Sequence, residues 1–187
     1  PHFRLYGMAA EIARRAGLAK VPQLYVEPSK VMNAYATGGR DNPVIVVTDT
    51  LMKNLNLREV TGILGHETAH IRNNDLAVMS LTNNVQRVTG VISMFGQIVL
   101  ILAIPFILSG QATLYLTPVL FIVYAPTLVF MLQMAVSRTR EFEADLVGVE
   151  LTGDPTGLAQ ALYKLERYHR HYWRNLLFSP WTHRAPS

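Results

Sequence analysis

Between Phe3 and Ala16 the apolar residues Leu5, Met8, Ala9, Ile12 and Ala16 recur at helical spacing, with Glu11, Arg14 and Arg15 on the wet side. Gly17 supplies the stop, because glycine adopts the left-handed conformation that closes a helix at little cost. After Pro22 the period shortens, and Gln23–Glu27, Val31–Thr37 and Val44–Thr48 read as strands. The last two are joined by Gly38-Gly39-Arg40-Asp41-Asn42-Pro43, which predicts a hairpin turn. It is a poor phosphate loop, since no Lys-Ser or Lys-Thr pair and no helix follow it directly. Thr48 or Asp49 can cap a short helix through Leu51, Met52 and Leu55, and Leu57–Leu76 then reads as a longer helix.

The pattern next loses its charge. No Asp, Glu, Lys, Arg or His occurs between Arg87 and Arg138. Within that gap Val88–Leu108 and Leu114–Val136 are each long enough to cross a hydrocarbon core about 30 Å thick as a helix. Ser109-Gly110-Gln111-Ala112-Thr113 separates them as a polar turn. Helical patterns resume afterwards. The order predicts an α+β, mainly helical fold with a small three-stranded sheet. It forms a single domain over 1–187, interrupted by a transmembrane hairpin at about 88–136.

Composition sharpens this picture. Half of the 187 residues are hydrophobic and 16% are charged, against about a quarter in ordinary globular domains. Pro105, Pro118 and Pro126 fall within the apolar stretches, where spanning helices tolerate proline. Ser93 and Gln97 are the conspicuous polar residues of the first span, too few for an ion pathway. Arg72 and Arg87 precede the hairpin, Arg138 and Arg140 follow it, and the turn is uncharged. The ends of the hairpin, with the domain they carry, are therefore expected on the cytoplasmic side of a multi-pass protein of the cytoplasmic membrane. The net charge of +4 fits juxtamembrane arginines facing anionic lipid, and no nucleic-acid recognition motif is present. The absence of cysteine is compatible with a reducing compartment.

The chemistry concentrates in His66-Glu67-Thr68-Ala69-His70, inside the predicted helix 57–76. At 3.6 residues per turn both imidazoles fall on one face with Glu67 beside them. Two nitrogen ligands and an adjacent carboxylate are what a zinc peptidase requires. Gly62 and Gly65 weaken the same helix and permit another segment to approach closely. A catalytic zinc needs a third protein ligand, and Ser137-Arg138-Thr139-Arg140-Glu141-Phe142-Glu143-Ala144-Asp145 returns to the side the hairpin left. Glu141 and Asp145 share a helical face, so one can bind the metal while the other orients a histidine; Glu143 is the rival ligand.

Asn33-Ala34-Tyr35-Ala36-Thr37-Gly38, Gly65-His66-Glu67 through His70, Asn73, Asp75, Ser137-Arg138 through Glu141, and Ala144-Asp145 occur in the order that resembles the HtpX-like membrane metallopeptidases, relatives of the CAAX prenyl proteases. The resemblance implies a zincin-type metallopeptidase holding one zinc ion on His66, His70 and Glu141, with Glu67 as catalytic base. It makes Asp145, Asn73 and Asp75 supports of the ligands, and Asn33 and Ala34 part of an edge strand that receives an extended substrate. It also implies proteolysis of misfolded or damaged membrane proteins. A noncatalytic zinc-containing membrane adaptor and a prenyl-peptide protease are the alternatives. Thr182-His183-Arg184 departs from the pattern, with arginine in place of proline; this and Pro1 at the start point to a chain trimmed at both ends. His169 and His171 lie on different helix faces and make a poor metal pair. Tyr168, Tyr172, Trp173 and Trp181, interleaved with Arg167, Arg170 and Arg174, suit a membrane-surface belt.

Overall fold

The structure, a computed structural model, describes residues 2–111, 113 and 115–178. Their contacts divide them into two units, 2–76 with 142–178, and 77–141. Trp181 and the segment Thr182-His183-Arg184 lie outside the described residues.

The first unit begins with α1 (His2–Arg15), whose apolar face buries Leu5, Ala9 and Ile12. Glu11 on its wet side pairs with Arg14 and Arg15, as the helical pattern predicts. Strands β1 (Gln23–Glu27), β2 (Ala34–Thr37) and β3 (Val44–Thr48) form a sheet in the order β1-β3-β2. β2 and β3 are the expected antiparallel hairpin, while β1 pairs parallel to β3, which places β3 centrally and buries Ile45 and Val47.

β2 is shorter than the predicted Val31–Thr37. Residues 29–33 wind instead, because Asp49 accepts from the Ser29 N–H and Ser29 Oγ accepts from the Val31 N–H. Asn33 therefore precedes the strand. Its N–H donates to Thr48 Oγ1 and its carbonyl accepts from the Thr48 N–H, so its backbone is fixed to the end of β3. Thr48 also caps α2 (Asp49–Asn54), accepting from the Leu51 N–H.

The helix that carries the histidines, α3 (Leu57–Asn73), starts in a capping box: Asn56 accepts from the Glu59 N–H, and Glu59 reaches back to the Asn56 N–H. It ends three residues before the predicted Leu76. Asn74 is left-handed, with φ 59° and ψ 34°, and α4 (Asp75–Leu108) restarts on a new course. Asparagine takes this conformation more readily than other non-glycine residues.

Two further helices close around α3: the end of α5 (Leu116–Thr152) and α6 (Pro155–Phe178). A Cβ on Gly62 would lie 2.8 Å from the Leu158 backbone, and one on Gly65 would lie 2.6 Å from Thr152 and 3.0 Å from the Gly148 carbonyl. The close approach expected at Gly62 and Gly65 is thus met by two different neighbours. Arg58 holds Asp154 through two hydrogen bonds, keeping that carboxyl near pKa 2. Buried Glu59 receives Lys164 Nζ at 2.8 Å on both oxygens. Burial alone would raise the Glu59 pKa, but Lys164 and the Asn56 N–H outweigh it and hold it below its ordinary 4.5.

The second unit consists of the adjoining parts of α4 and α5, helices long and apolar enough to cross a membrane. The predicted span Val88–Leu108 lies inside α4; the second, Leu114–Val136, opens on Leu114, outside the described residues, and α5 takes it up from Leu116. α4 continues through Pro105 as α5 does through Pro126. Pro118 stands in the first turn of α5, where its missing N–H costs nothing. Gly96 lets Ile122 approach, and Gln133 donates to Asn83 across the pair.

Two stability predictions follow from the α3 contacts. Lys164→Met leaves Glu59 buried without its cation and lowers stability by about 2 kcal/mol at neutral pH. Because the folded Glu59 pKa is depressed, this difference is present above the ordinary 4.5 and closes as pH falls below it, which denaturant unfolding at several pH values measures. Asn74→Ala costs about 1 kcal/mol in thermal unfolding, whereas Asn74→Gly, free of the Cβ penalty, loses less than half as much.

Candidate metal centre and active site

His66 and His70 stand one turn apart on α3, and both face inward, with His66 buried and His70 half-buried. Their rings meet edge to face, with centroids 4.7 Å apart, and their Nε2 atoms lie 3.1 Å from one another. The opposite nitrogens are both engaged. His66 Nδ1 is 2.9 Å from Asp145 Oδ1, and His70 Nδ1 is 2.8 Å from Asp75 Oδ2.

These two carboxylates settle the tautomers. An ionised carboxylate only accepts, so each neutral imidazole carries its proton on Nδ1 and leaves a lone pair on Nε2. Two lone pairs at 3.1 Å repel one another unless a proton or a metal cation stands against both. Tetrahedral zinc with nitrogen ligands at about 2.05 Å would set its two nitrogens about 3.3 Å apart, close to what the pair shows. The donor set therefore fits a divalent metal. Glu141, on α5 one turn before Asp145, belongs with His66 and His70 to a group that could hold a metal ion, each residue offering one ligand atom and all of these within 4.8 Å of one another. Among the described residues this is the group so arranged.

Backbone structure puts the supporting carboxylates in place. Five residues along an unbroken helix Asp75 would point about 140° away from His70. The left-handed turn at Asn74 brings it back. Asp75 is 4% exposed in its side chain and Asp145 41%, so the His70 pair is shielded and the His66 pair wet. Asp145 owes its position to Gly148, one turn later on α5, whose added Cβ would lie 3.0 Å from the His66 backbone nitrogen. Sequence reading missed Gly148, though a glycine inside the helix that carries Glu141 and Asp145 was a signal of close approach.

Glu67, beside the histidines, is buried. Asp145 and Asp75 each reach an imidazole, whereas Asn73 closes the last turn of α3 and the described contacts bring Asp75, not Asn73, to His70. Ala34 opens β2, an edge strand of the sheet that packs on α3, and half-buried Asn33 stands just before it. His169 Nε2 faces the Met32 carbonyl at 2.8 Å. Tyr168 is likewise turned inward, its hydroxyl donating to the Lys30 carbonyl.

The chain was compared with known proteins. It is 39% identical over 166 residues to a protease HtpX homolog of Paenarthrobacter aurescens, covering 87% of this chain and 54% of that protein. A protease HtpX homolog of Persephonella marina is also 39% identical, covering 87% and 56%. That of Acaryochloris marina is 39% identical over 172 residues, covering 89% and 56%. The chain thus spans about half the length of these curated relatives. No solved structure matches it. The family model of peptidase family M48 matches residues 4–183. Because that match runs far beyond the histidine motif, through the sheet, both long helices and α6, the chain belongs to peptidase family M48.

Proposed function

We propose that the chain carries the catalytic domain of a zinc metalloendopeptidase that cleaves extended segments of misfolded or damaged proteins of the cytoplasmic membrane. One observation carries the reading: two imidazole Nε2 atoms converge at 3.1 Å while both Nδ1 atoms are given to carboxylates. His66, His70 and Glu141 would hold one zinc ion per chain, leaving a fourth position open. When bound, zinc supplies Lewis acidity toward the scissile carbonyl and the attacking water.

The protein's own groups perform the remaining steps. The Glu67 carboxylate takes a proton from the attacking water and returns it to the leaving amine nitrogen. Asp75 and Asp145 hold the imidazoles in one tautomer and orientation. β2 pairs with β3 along one edge, and its other edge would take the substrate backbone as an added strand. The small side chain of Ala34 admits that approach, and Asn33 would hydrogen-bond a substrate carbonyl. Asp75 closes the His70 side of the histidine face, and Asn73 would support it from the last turn of α3.

The apolar parts of α4 and α5 would form a transmembrane hairpin interrupting this single domain. The arginines at both ends, Arg72, Arg87, Arg138 and Arg140, favour a cytoplasmic catalytic face. In support, the curated relatives carry the name protease HtpX homolog.

The decisive test is cleavage of an unfolded protein by the detergent-solubilised, zinc-loaded chain and by Glu67→Gln at equal metal content. The variant should lose about 10²- to 10⁴-fold in rate. Equal rates would overturn the assignment, and metal binding with no turnover in either would favour the adaptor. A second measurement concerns the carboxylates. Zinc affinity, read by competition with a chelating dye, should fall about 10- to 100-fold in Asp75→Asn and by less in Asp145→Asn, whose carboxylate is already solvated.

A further inference from the structure

Outside the histidine site the most unusual feature of the first unit is a cavity of about 710 Å³ along α6, walled on the other side by Met32 and Asn54. Among the described residues its lining holds Lys164, Arg167, Arg170, His171 and Arg174, and no carboxylate. From 164 to 174 these residues recur at three- and four-residue intervals, so α6 turns a basic stripe into the cavity.

Nearby acids neutralise part of this charge. Lys164 is committed to buried Glu59, and Arg170 to Glu166 one turn away. Among the described residues Arg167 has no such carboxylate, and Arg174 donates to His171 Nδ1 at 3.1 Å, which adds no negative charge to offset the guanidinium. Arg167 and Arg174 line the same concavity from positions two turns apart on α6, so both guanidiniums attract an anion placed there. The walls are fixed: Tyr168 holds the Lys30 carbonyl at 2.6 Å, His169 faces the Met32 carbonyl, and Tyr172 stacks on Tyr168. The cavity is therefore built, not a chance gap between loose side chains.

We propose that this cavity is a binding site for a phosphate group, held chiefly by Arg167 and Arg174. Phosphate offers several acceptor oxygens on one compact centre, which suits paired planar guanidiniums better than a single carboxylate does. A lipid headgroup and a soluble phosphate both present this chemistry. The site lies apart from the histidines and stands or falls independently of the peptidase reading.

The test uses the full chain in a neutral detergent at low salt. One arm titrates inorganic phosphate, followed by phosphorus NMR line broadening. The other adds phosphatidylglycerol to the micelles and counts lipid retained per chain by native mass spectrometry, with phosphatidylcholine as reference. At least one anion should bind saturably, and Arg167→Gln/Arg174→Gln should weaken it about tenfold or more. Arg4→Gln/Arg40→Gln, which removes the same charge elsewhere, should change it by less than about twofold, and Arg167→Lys/Arg174→Lys should recover only part. Binding of phosphate assigns a soluble ligand, and binding of phosphatidylglycerol alone assigns a lipid headgroup. The proposal is overturned if neither binds saturably, if an acidic peptide binds where both phosphates fail, or if the two glutamine variants lose equally. All four positions are solvent-exposed, so the variants should fold, which thermal unfolding checks.

Discussion

The site depends on a single electrostatic constraint: both imidazoles must present a lone pair to the same point. Neutral histidine carries its proton on either nitrogen, and only a fixed acceptor at Nδ1 keeps Nε2 bare. The chain meets this twice by different means, with Asp75 from the residue after a left-handed turn and Asp145 from a separate helix. Neither carboxylate would suffice alone, since one bare and one protonated Nε2 would simply hydrogen-bond to each other and leave a metal with a single nitrogen ligand. The backbone features that look costly serve this requirement. Gly65 and Gly148 give up side-chain packing so that α5 can lie against the turn of α3 that bears His66. Asn74 accepts a left-handed conformation so that Asp75 can reach His70.

A helix that sets two imidazoles against each other needs both of its ends tied, and α3 is held at each. At its start the capping box of Asn56 and Glu59 satisfies first-turn N–H groups, and the same Glu59 carboxylate takes Lys164 from α6. A buried charge is an expensive anchor, because desolvation opposes it, yet it permits one geometry only. Hydrophobic contacts such as Leu64 and Leu158 supply the energy, and the polar ties supply the register. At its other end the turn at Asn74 stops α3 before it can fray or continue.

Much of this was legible in the sequence because the signals were local. The histidine spacing, the charge-free stretch 88–137 and the glycine-proline turn before β3 each depend on residues within one or two turns of each other. Thr48 was identifiable as a cap for the same reason. What escaped were features set by tertiary partners. Residues 31–33 alternate as a strand does, but Asp49 and Ser29 capture the backbone of the segment that precedes them. Leu57–Leu76 keeps its helical period across Asn74, and nothing in the period reveals that His70 needs a carboxylate five residues on. Glu59 with Lys164 and Gly148 with His66 are pairs separated by about 80 residues or more, and no spacing rule links them.

The second unit is set apart by its surface. Phe95, Val99, Leu102 and Leu132 are each at least 60% exposed, and the apolar windows of both helices are almost wholly unburied within the chain. Left in water, so large a continuous apolar surface would associate or collapse. In hydrocarbon the same side chains are at no disadvantage, and the forces that pair the helices change accordingly. Apolar burial no longer drives them together there, so close approach and hydrogen bonding must. Two contacts between α4 and α5 are of these kinds: Gly96 opens room for Ile122, and Gln133 donates to Asn83. The two units thus follow different rules of stability in one chain, the first held by a buried apolar core with polar ties and the second by small-residue packing with a polar clamp.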